Sequence, residues 1–265
     1  MAMPISLSVT EHVADVRLDR ADKMNALDPA MFAAIADAIA TLADTAGLRA
    51  VVLSGEGSAF CAGLDMVSMA SGLGVGPGGG QDLGARTHGD ANIFQHIAWG
   101  WRTLAVPVIA AVHGVAFGGG FQIMAGADIR IAHPATRMSI MEIKWGLVPD
   151  MGGIALWRTL VRDDVLRELT YTGREFSGEE AARLGFVTRL ADDPLTEAMA
   201  LAREIAGKSP DAVRGAKLLY NFAADGDGPQ ILAHETEEQM ALLGSVNQIE
   251  AVTANMEKRV PDFRG

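Results

Sequence analysis

Residues 103–127 contain no Asp, Glu, Lys or Arg, a charge-free run that has to be buried in protein or in lipid. Pro107, His113 and five glycines interrupt it, and broken helices are tolerated in a bilayer only under protein cover. The run therefore reads as a strand, a tight turn and a helix at the centre of a protein core. Its turn, AFGGGFQ, holds three successive glycines, which are costly to order. A lone amide, Gln122, follows them among apolar residues.

Around this run, short apolar strand candidates alternate with helical patterns, which predicts an α/β fold. The strands are expected at 13–18, 50–53, 106–112, 129–132 and 138–140, with a further one at 186–190. A helix follows Asp28 as N-cap, with Pro29 in its first turn, Phe32, Ile35, Ile39 and Leu42 on one face, and Gly47 as its stop. A second is expected over 90–104, with Ile93, Ile97, Trp101 and Leu104 on one side, and a third begins inside the triple glycine. Ser177 with Glu180 three residues later resembles a capping box. From residue 193 the pattern is almost wholly helical, over 194–206, 210–223, 229–243 and 246–258. A boundary near 193–208 then separates an α/β body, 1–200, from a helical appendage, 201–265.

With 265 residues, 49% of them apolar, the chain can bury a full core. A formal charge of −11 disfavours nucleic acid and anionic membranes as partners, so an anionic ligand needs a local basic pocket. Cys61 is the sole cysteine, which excludes an intrachain disulfide and a cysteine metal cluster. Together with an N-terminus that lacks a basic segment before an apolar one, this predicts a cytoplasmic protein. Gly74, Gly76 and Gly79 match a dinucleotide-binding pattern by letters, but no strand precedes them and Pro77 interrupts. The stretch 71–84 is expected to be a mobile loop.

Two glycine-containing turns each follow an apolar strand and precede a helix-like segment: SAFCAGLD at 58–65 and HGVAFGGG at 113–120. Absent side chains let a ligand approach, and the first N–H groups of a helix lack intrahelical acceptors, so two such turns can form an oxyanion hole. Tight strand–helix packing without a ligand fits equally at this point. Downstream, in MSIMEIKWGLVPDMGG, Glu142 and Asp150 flank an apolar strand-to-turn segment that would raise a carboxyl pKa by desolvation. An Asp just before a glycine-rich helix start is also a natural N-cap.

Taken together, VADVRLDRADKMNALD, AFCAGLDM, VHGVAFGGGFQIMAGADIRIA and MEIKWGLVPDMGG resemble the crotonase superfamily, the enoyl-CoA hydratases and isomerases, over nearly the whole chain. The resemblance implies a crotonase-like spiral of ββα units with a C-terminal helical trimerisation region, assembled as a homotrimer or a dimer of trimers. It implies an acyl-CoA substrate, with coenzyme A part of that substrate and no further cofactor or metal. It places the oxyanion hole on the N–H groups of Leu64 and Gly119, and the CoA wall on Lys23, Met24, Ala62, Gly63 and Asp65. The family's hydratases carry one glutamate at the position of Gln122 and a second at Glu142; this chain keeps only the second. Asp150 matches a carboxylate used by dienoyl-CoA isomerases, by some CoA-thioester hydrolases and by a dehalogenase branch. Glu142 is thus expected to be the principal acid-base, Asp150 the second carboxylate and Gln122 a polar positioning residue. The resemblance implies an acyl-CoA enzyme of the hydratase/isomerase type that stabilises a thioester enolate; a dienoyl-CoA isomerase or thioester hydrolase using Glu142 and Asp150, and a non-catalytic acyl-CoA-binding subunit, are the alternatives. His113 and Cys61 are expected to be packed structural residues, and Trp99, Trp101, Trp145 and Trp157 either core or acyl-pocket residues. Lys258, Arg259 and Arg264 stand as CoA-phosphate ligands or as a solvated tail.

Overall fold

The computed structural model describes residues 4–65, 67–68 and 82–265, so the loop expected at 71–84 lies outside the described residues up to residue 81. Among the described residues, nine strands form two sheets. The larger joins β1 (Ile5–Thr10), β2 (Val13–Leu18), β3 (Ala50–Gly55), β4 (Val108–Val112), β6 (Ile129–Ala132) and β9 (Arg189–Leu190) in that order. Only β1 and β2 pair antiparallel in it. The smaller joins β5 (Val115–Phe117), β7 (Arg137–Ser139) and β8 (Phe176–Ser177).

The helices of the body are α1 (Pro29–Ala43), α2 (Ile93–Thr103), α3 (Gly119–Ala125), α4 (Gly153–Trp157), α5 (Asp163–Thr172) and α6 (Gly178–Leu184). After them come α7 (Pro194–Ala206), α8 (Pro210–Ala223), α9 (Gly228–Leu242) and α10 (Val246–Glu257). Successive turns of the chain repeat one path: a strand in the large sheet, a strand in the small one, then a helix. β4 leads into β5 and α3, and β6 leads into β7 and α4. One turn earlier, β3 leads to Cys61, which pairs with Ala116 of β5 in a parallel bridge. Parallel neighbours cannot be joined by a hairpin, so the chain climbs as a spiral.

β4 is wholly apolar and β3 is apolar but for Gly55 and the buried Ser54, because both faces of the large sheet are covered there. Val51, Leu53, Val108, Ala110 and Val112 face the main core with Ile35 and Ile39 of α1 and Ile97 and Trp101 of α2. Val52, Ile109, Ala111 and Ile131 face the other way and meet Ala198, Ala202 and Ala206 of α7. Residue 200, where the body was expected to end, falls inside that helix.

Asp28 caps α1 by accepting the Met31 N–H, as expected, and Ser177 caps α6 through the Glu180 N–H, but the expected box is only half formed because the Glu180 carboxylate pairs with Arg174. Several boundaries differ from expectation. α1 ends at Ala43, before Gly47, with Asp44 as its C-cap. α2 starts at Ile93 because Asn92 and Gln95 close a reciprocal capping box there. The strand expected over 186–190 shrinks to Arg189–Leu190, since the Phe186 and Val187 N–H groups both donate to Ala181 O at the end of α6. β1, β5, β8 and α5 were not expected, and α4 only as a helix start after Asp150. β1 carries the period-two alternation Ile5, Leu7, Val9 of an edge strand.

Lys217 of α8 clips this helix to the body. Its buried ammonium donates to Trp101 O at 3.3 Å, Val106 O at 2.9 Å and Asp128 Oδ2 at 2.8 Å. The same Asp128 oxygen accepts the Val108 N–H at 2.7 Å. Lys217→Met leaves these acceptors without their cation and is expected to lower the unfolding free energy by about 3 kcal/mol, read from urea denaturation.

Candidate active site

The two glycine-bearing turns lie against each other, joined by a backbone ladder. Phe60 N–H donates to His113 O at 2.9 Å, Cys61 N–H to Val115 O at 3.1 Å, and Phe117 N–H to Cys61 O at 3.1 Å. The triple glycine is what permits this approach. Gly118 has φ +49°, and a Cβ on Gly120 would sit 2.7 Å from the Cys61 Cβ. Asn25, fully buried, braces the first turn by donating to Glu56 O, Ala59 O and Phe60 O.

Leu64 and Gly119 line one small cavity of about 60 Å³, with Phe117, Gln122, Glu142 and Asp150 also on its wall. Neither the Leu64 nor the Gly119 N–H has a protein acceptor among the described residues. In Leu64's case the bridge to Leu27 uses its neighbours: Leu27 N–H donates to Gly63 O at 2.8 Å and Asp65 N–H to Leu27 O at 2.9 Å. Gly119 is the first residue of α3, where an N–H has no intrahelical partner.

Glu142 opens a short 3-10 turn, Glu142–Trp145, directly after β7. Its side chain is buried, and its Oε1 accepts the Gln122 amide N–H at 2.6 Å. Oε2 is buried with no hydrogen-bond partner among the described residues. Burial raises the Glu142 pKa above the ordinary carboxylate range, the charge of Asp150 raises it further, and the Gln122 bond opposes both. Asp150 is solvent-exposed as a residue, yet its carboxyl is desolvated enough by surrounding protein that its pKa is also raised. It does not cap α4. That place belongs to Gly152, at φ +87°.

Gln122 is completely buried and makes three bonds. Its carbonyl accepts the Met151 N–H at 2.9 Å and the Gly153 N–H at 3.0 Å, while its amide nitrogen faces Glu142. Sequence reasoning missed Met151, Phe117, Met141, Leu147 and Val148 on the cavity wall. For Met141, Leu147, Val148 and Met151 the available signal was an apolar type near the two acids in MEIKWGLVPDM, and Phe117 had none. Trp145 joins them, whereas Trp101 and Trp157 are core residues.

The expected CoA wall is contiguous: Ala62 N–H donates to Met24 O at 2.9 Å, linking the Lys23–Met24 stretch to the 62–65 turn. Lys23 and Met24 are exposed. Asp65 is ion-paired with Arg20 at 2.7 Å, and that bond holds its carboxyl below the usual range. Burial pushes the Cys61 thiol up to about 12, which leaves it an unreactive core residue. His113 packs in its turn, with Nε2 3.0 Å from Gly57 O. Arg259 is paired with Glu250 and Glu257.

A model of the enoyl-CoA hydratase/isomerase family matches residues 8–265. The mitochondrial Delta(3,5)-Delta(2,4)-dienoyl-CoA isomerase of Mus musculus is 33% identical over 270 residues, covering 95% of this chain and 79% of that protein. The carnitinyl-CoA dehydratase of Salmonella typhi is 31% identical over 276 residues, covering 99% of this chain and 100% of that protein. The crystal structure of an enoyl-CoA hydratase from Bacillus anthracis superposes with a TM-score of 0.88 at 28% identity, covering 99% of both chains.

Two pH effects follow from the geometry. Asp150→Asn removes a like charge and is expected to lower the Glu142 pKa, measured by carbon NMR of labelled glutamate carboxyls. Because both native carboxyl pKa values are raised, these two groups hold more protons in the folded state than in the unfolded chain above about pH 4. Their contribution to stability therefore falls as pH climbs from there through the raised values, and Glu142→Gln is expected to remove its share of that fall from the denaturation-against-pH curve.

Proposed function

The chain belongs to the enoyl-CoA hydratase/isomerase family, and from that premise we propose that it is an acyl-CoA double-bond isomerase in which Glu142 and Asp150 relay the proton. The observation that carries this reading is the 2.6 Å bond between Gln122 and Glu142. At that separation the amide rather than a water occupies Glu142 Oε1, and an amide at position 122 cannot itself take or give a proton, which supports a reaction other than two-glutamate hydration. The carboxyl groups left on the cavity wall are Glu142 and Asp150, both with raised pKa values.

In this reading the thioester oxygen accepts the Leu64 and Gly119 N–H groups. One of the two carboxylates takes a proton from the carbon next to the thioester, and the electron pair passes into an enolate whose charge falls on that oxygen. Preorganised donors stabilise the developing charge, and losing one typically costs ~10²–10³ in rate. The other carboxyl, protonated at the start, returns a proton to a remote carbon of the conjugated system. The double bonds shift, the thioester stays whole and no water is consumed. The two carboxyls have then exchanged roles, and proton exchange through exposed Asp150 resets them.

The CoA moiety lies along Lys23, Met24, Ala62, Gly63 and Asp65 in this reading, with Asp65 bracing the wall through Arg20 rather than touching ligand. No cofactor beyond that moiety is needed. Self-association through the C-terminal helices is part of the proposal. Ile249, Val252 and Met256 fall on one face of α10 and are 55%, 48% and 80% exposed, an arrangement suited to packing between subunits of a trimer or a dimer of trimers. A cytoplasmic location rests on the free thiol of Cys61.

Given a 3,5-dienoyl-CoA, a 3-enoyl-CoA and a 2-enoyl-CoA, the protein is expected to move double bonds without releasing CoA. Glu142→Gln and Asp150→Asn are each expected to lower kcat by ~10²–10⁴. Hydration of the 2-enoyl thioester that survives Asp150→Asn would sink the two-acid reading. Release of free CoA would make the enzyme a hydrolase instead, and binding without turnover a non-catalytic subunit. Sedimentation is expected to give the mass of a trimer or hexamer, and a stable monomer contradicts the assembly.

A further inference from the structure

We propose that Gln122 dictates which oxygen of Glu142 handles the proton, and so directs the site to isomerisation. The inference rests on the reading that Glu142 is an acid-base of the reaction. It comes from the orientation of one amide. The Gln122 carbonyl accepts two backbone N–H groups, those of Met151 and Gly153, at 2.9 and 3.0 Å. Backbone N–H groups only donate, so the oxygen must face them and the NH₂ must face Glu142. Glu142 Oε1 therefore receives a donor at 2.6 Å. A proton on Oε1 would point at another donor, so the protonated form carries its hydrogen on Oε2. That oxygen is buried without a partner among the described residues, and Glu142 lines the same cavity as the Leu64 and Gly119 N–H groups. Gln122 thus holds one oxygen as a permanent acceptor and leaves the other for proton transfer.

The same three bonds place the cavity wall. Gln122 ties α3, on which it sits, to the turn that enters α4. That turn carries Met151, whose sulfur lies 2.9 Å from where a Cβ on Gly119 would be. The Gly119 N–H and Glu142 Oε2 are thereby held in one frame by one side chain. Gln122 contacts no reacting atom in this account, which makes it a positioning residue.

A glutamate at 122 would change the chemistry in a definite way. One of its oxygens would keep the Met151 and Gly153 N–H groups, and the other would meet Glu142 Oε1 at the distance now spanned by the amide bond. Two carboxyl groups that close share a proton or move apart, and moving apart admits a water held between them.

The test uses the intact protein with Gln122→Leu and Gln122→Glu, on the same thioesters. Gln122→Leu is expected to raise the Glu142 pKa in carbon NMR, since the amide bond lowers it. It is also expected to move the acidic limb of the rate profile upward and to reduce kcat by roughly 10²-fold with KM little changed. Gln122→Glu is expected to gain hydration of a 2-enoyl-CoA while isomerisation falls. Thermal melts identify any variant that fails to fold; should Gln122→Leu be one, Gln122→Glu, which keeps both backbone acceptor bonds, decides the matter. A Glu142 titration and kcat unmoved in folded Gln122→Leu would overturn the proposal, as would a folded Gln122→Glu with an unchanged ratio of products. Glu142→Gln retaining full activity would instead sink the underlying reading, so the two failures are distinguishable.

Discussion

The site depends on how closely two stretches of backbone approach each other. Phe60 and Cys61 form a short ladder with residues 113–117, and every hydrogen bond in it is between main-chain groups. Side chains decide only whether the approach is possible, which is why Gly118 and Gly120 have no substitute at the turn: one takes a left-handed φ, the other lies against Cys61. The ladder fixes the start of α3 beside the Gly63–Leu64 turn. The Leu64 and Gly119 N–H groups are therefore set by the spiral itself, before any ligand arrives. Such preorganisation is what gives backbone donors their value, because nothing has to reorient as charge develops.

The acids are held differently. Glu142 and Asp150 come from the segment after β7, outside the ladder, and their placement relies on Gln122. A buried carboxyl with one bonded and one unpartnered oxygen is an uneconomical way to stabilise a fold. It is a suitable way to keep a proton near a reacting carbon. Asp150 differs in being open to solvent, so the two carboxyls offer one inner and one outer end to a proton path. In the proposed mechanism the oxyanion donors thus belong to the scaffold, and the choice of reaction to a single buried amide and its three bonds.

Much of this was legible in the sequence because the strongest signals were local. The apolar strands, the Asp28 and Ser177 caps and the helices at 194–206 and 210–223 emerge from periodicity and capping alone. The short β5 and β8 were missed since three- or two-residue strands exist only by virtue of their neighbours, whereas six-residue β1 was missed despite its alternation of Ile5, Leu7 and Val9. At the site, the identities of Gln122, Glu142 and Asp150 could be read, but not the bond between the first two, which spans twenty positions and depends on the spiral. Asp150 had a local signal that misled. It stands two residues before a helix N-cap, and the left-handed Gly152 takes that place instead. Phe117 on the cavity wall lacked any local signal of its own, since it looks like an ordinary core residue until the two turns meet.

Cys61 gives the spiral an internal gauge. Its thiol donates to Asn25 O at 3.1 Å and sits at the bridge between the first glycine turn and β5, fully buried. An alkylating reagent can reach it only when those turns separate. The rate at which the sulfur becomes modifiable therefore measures how often the scaffold breathes at the point where the turns carrying Leu64 and Gly119 are joined, with no label added to the molecule.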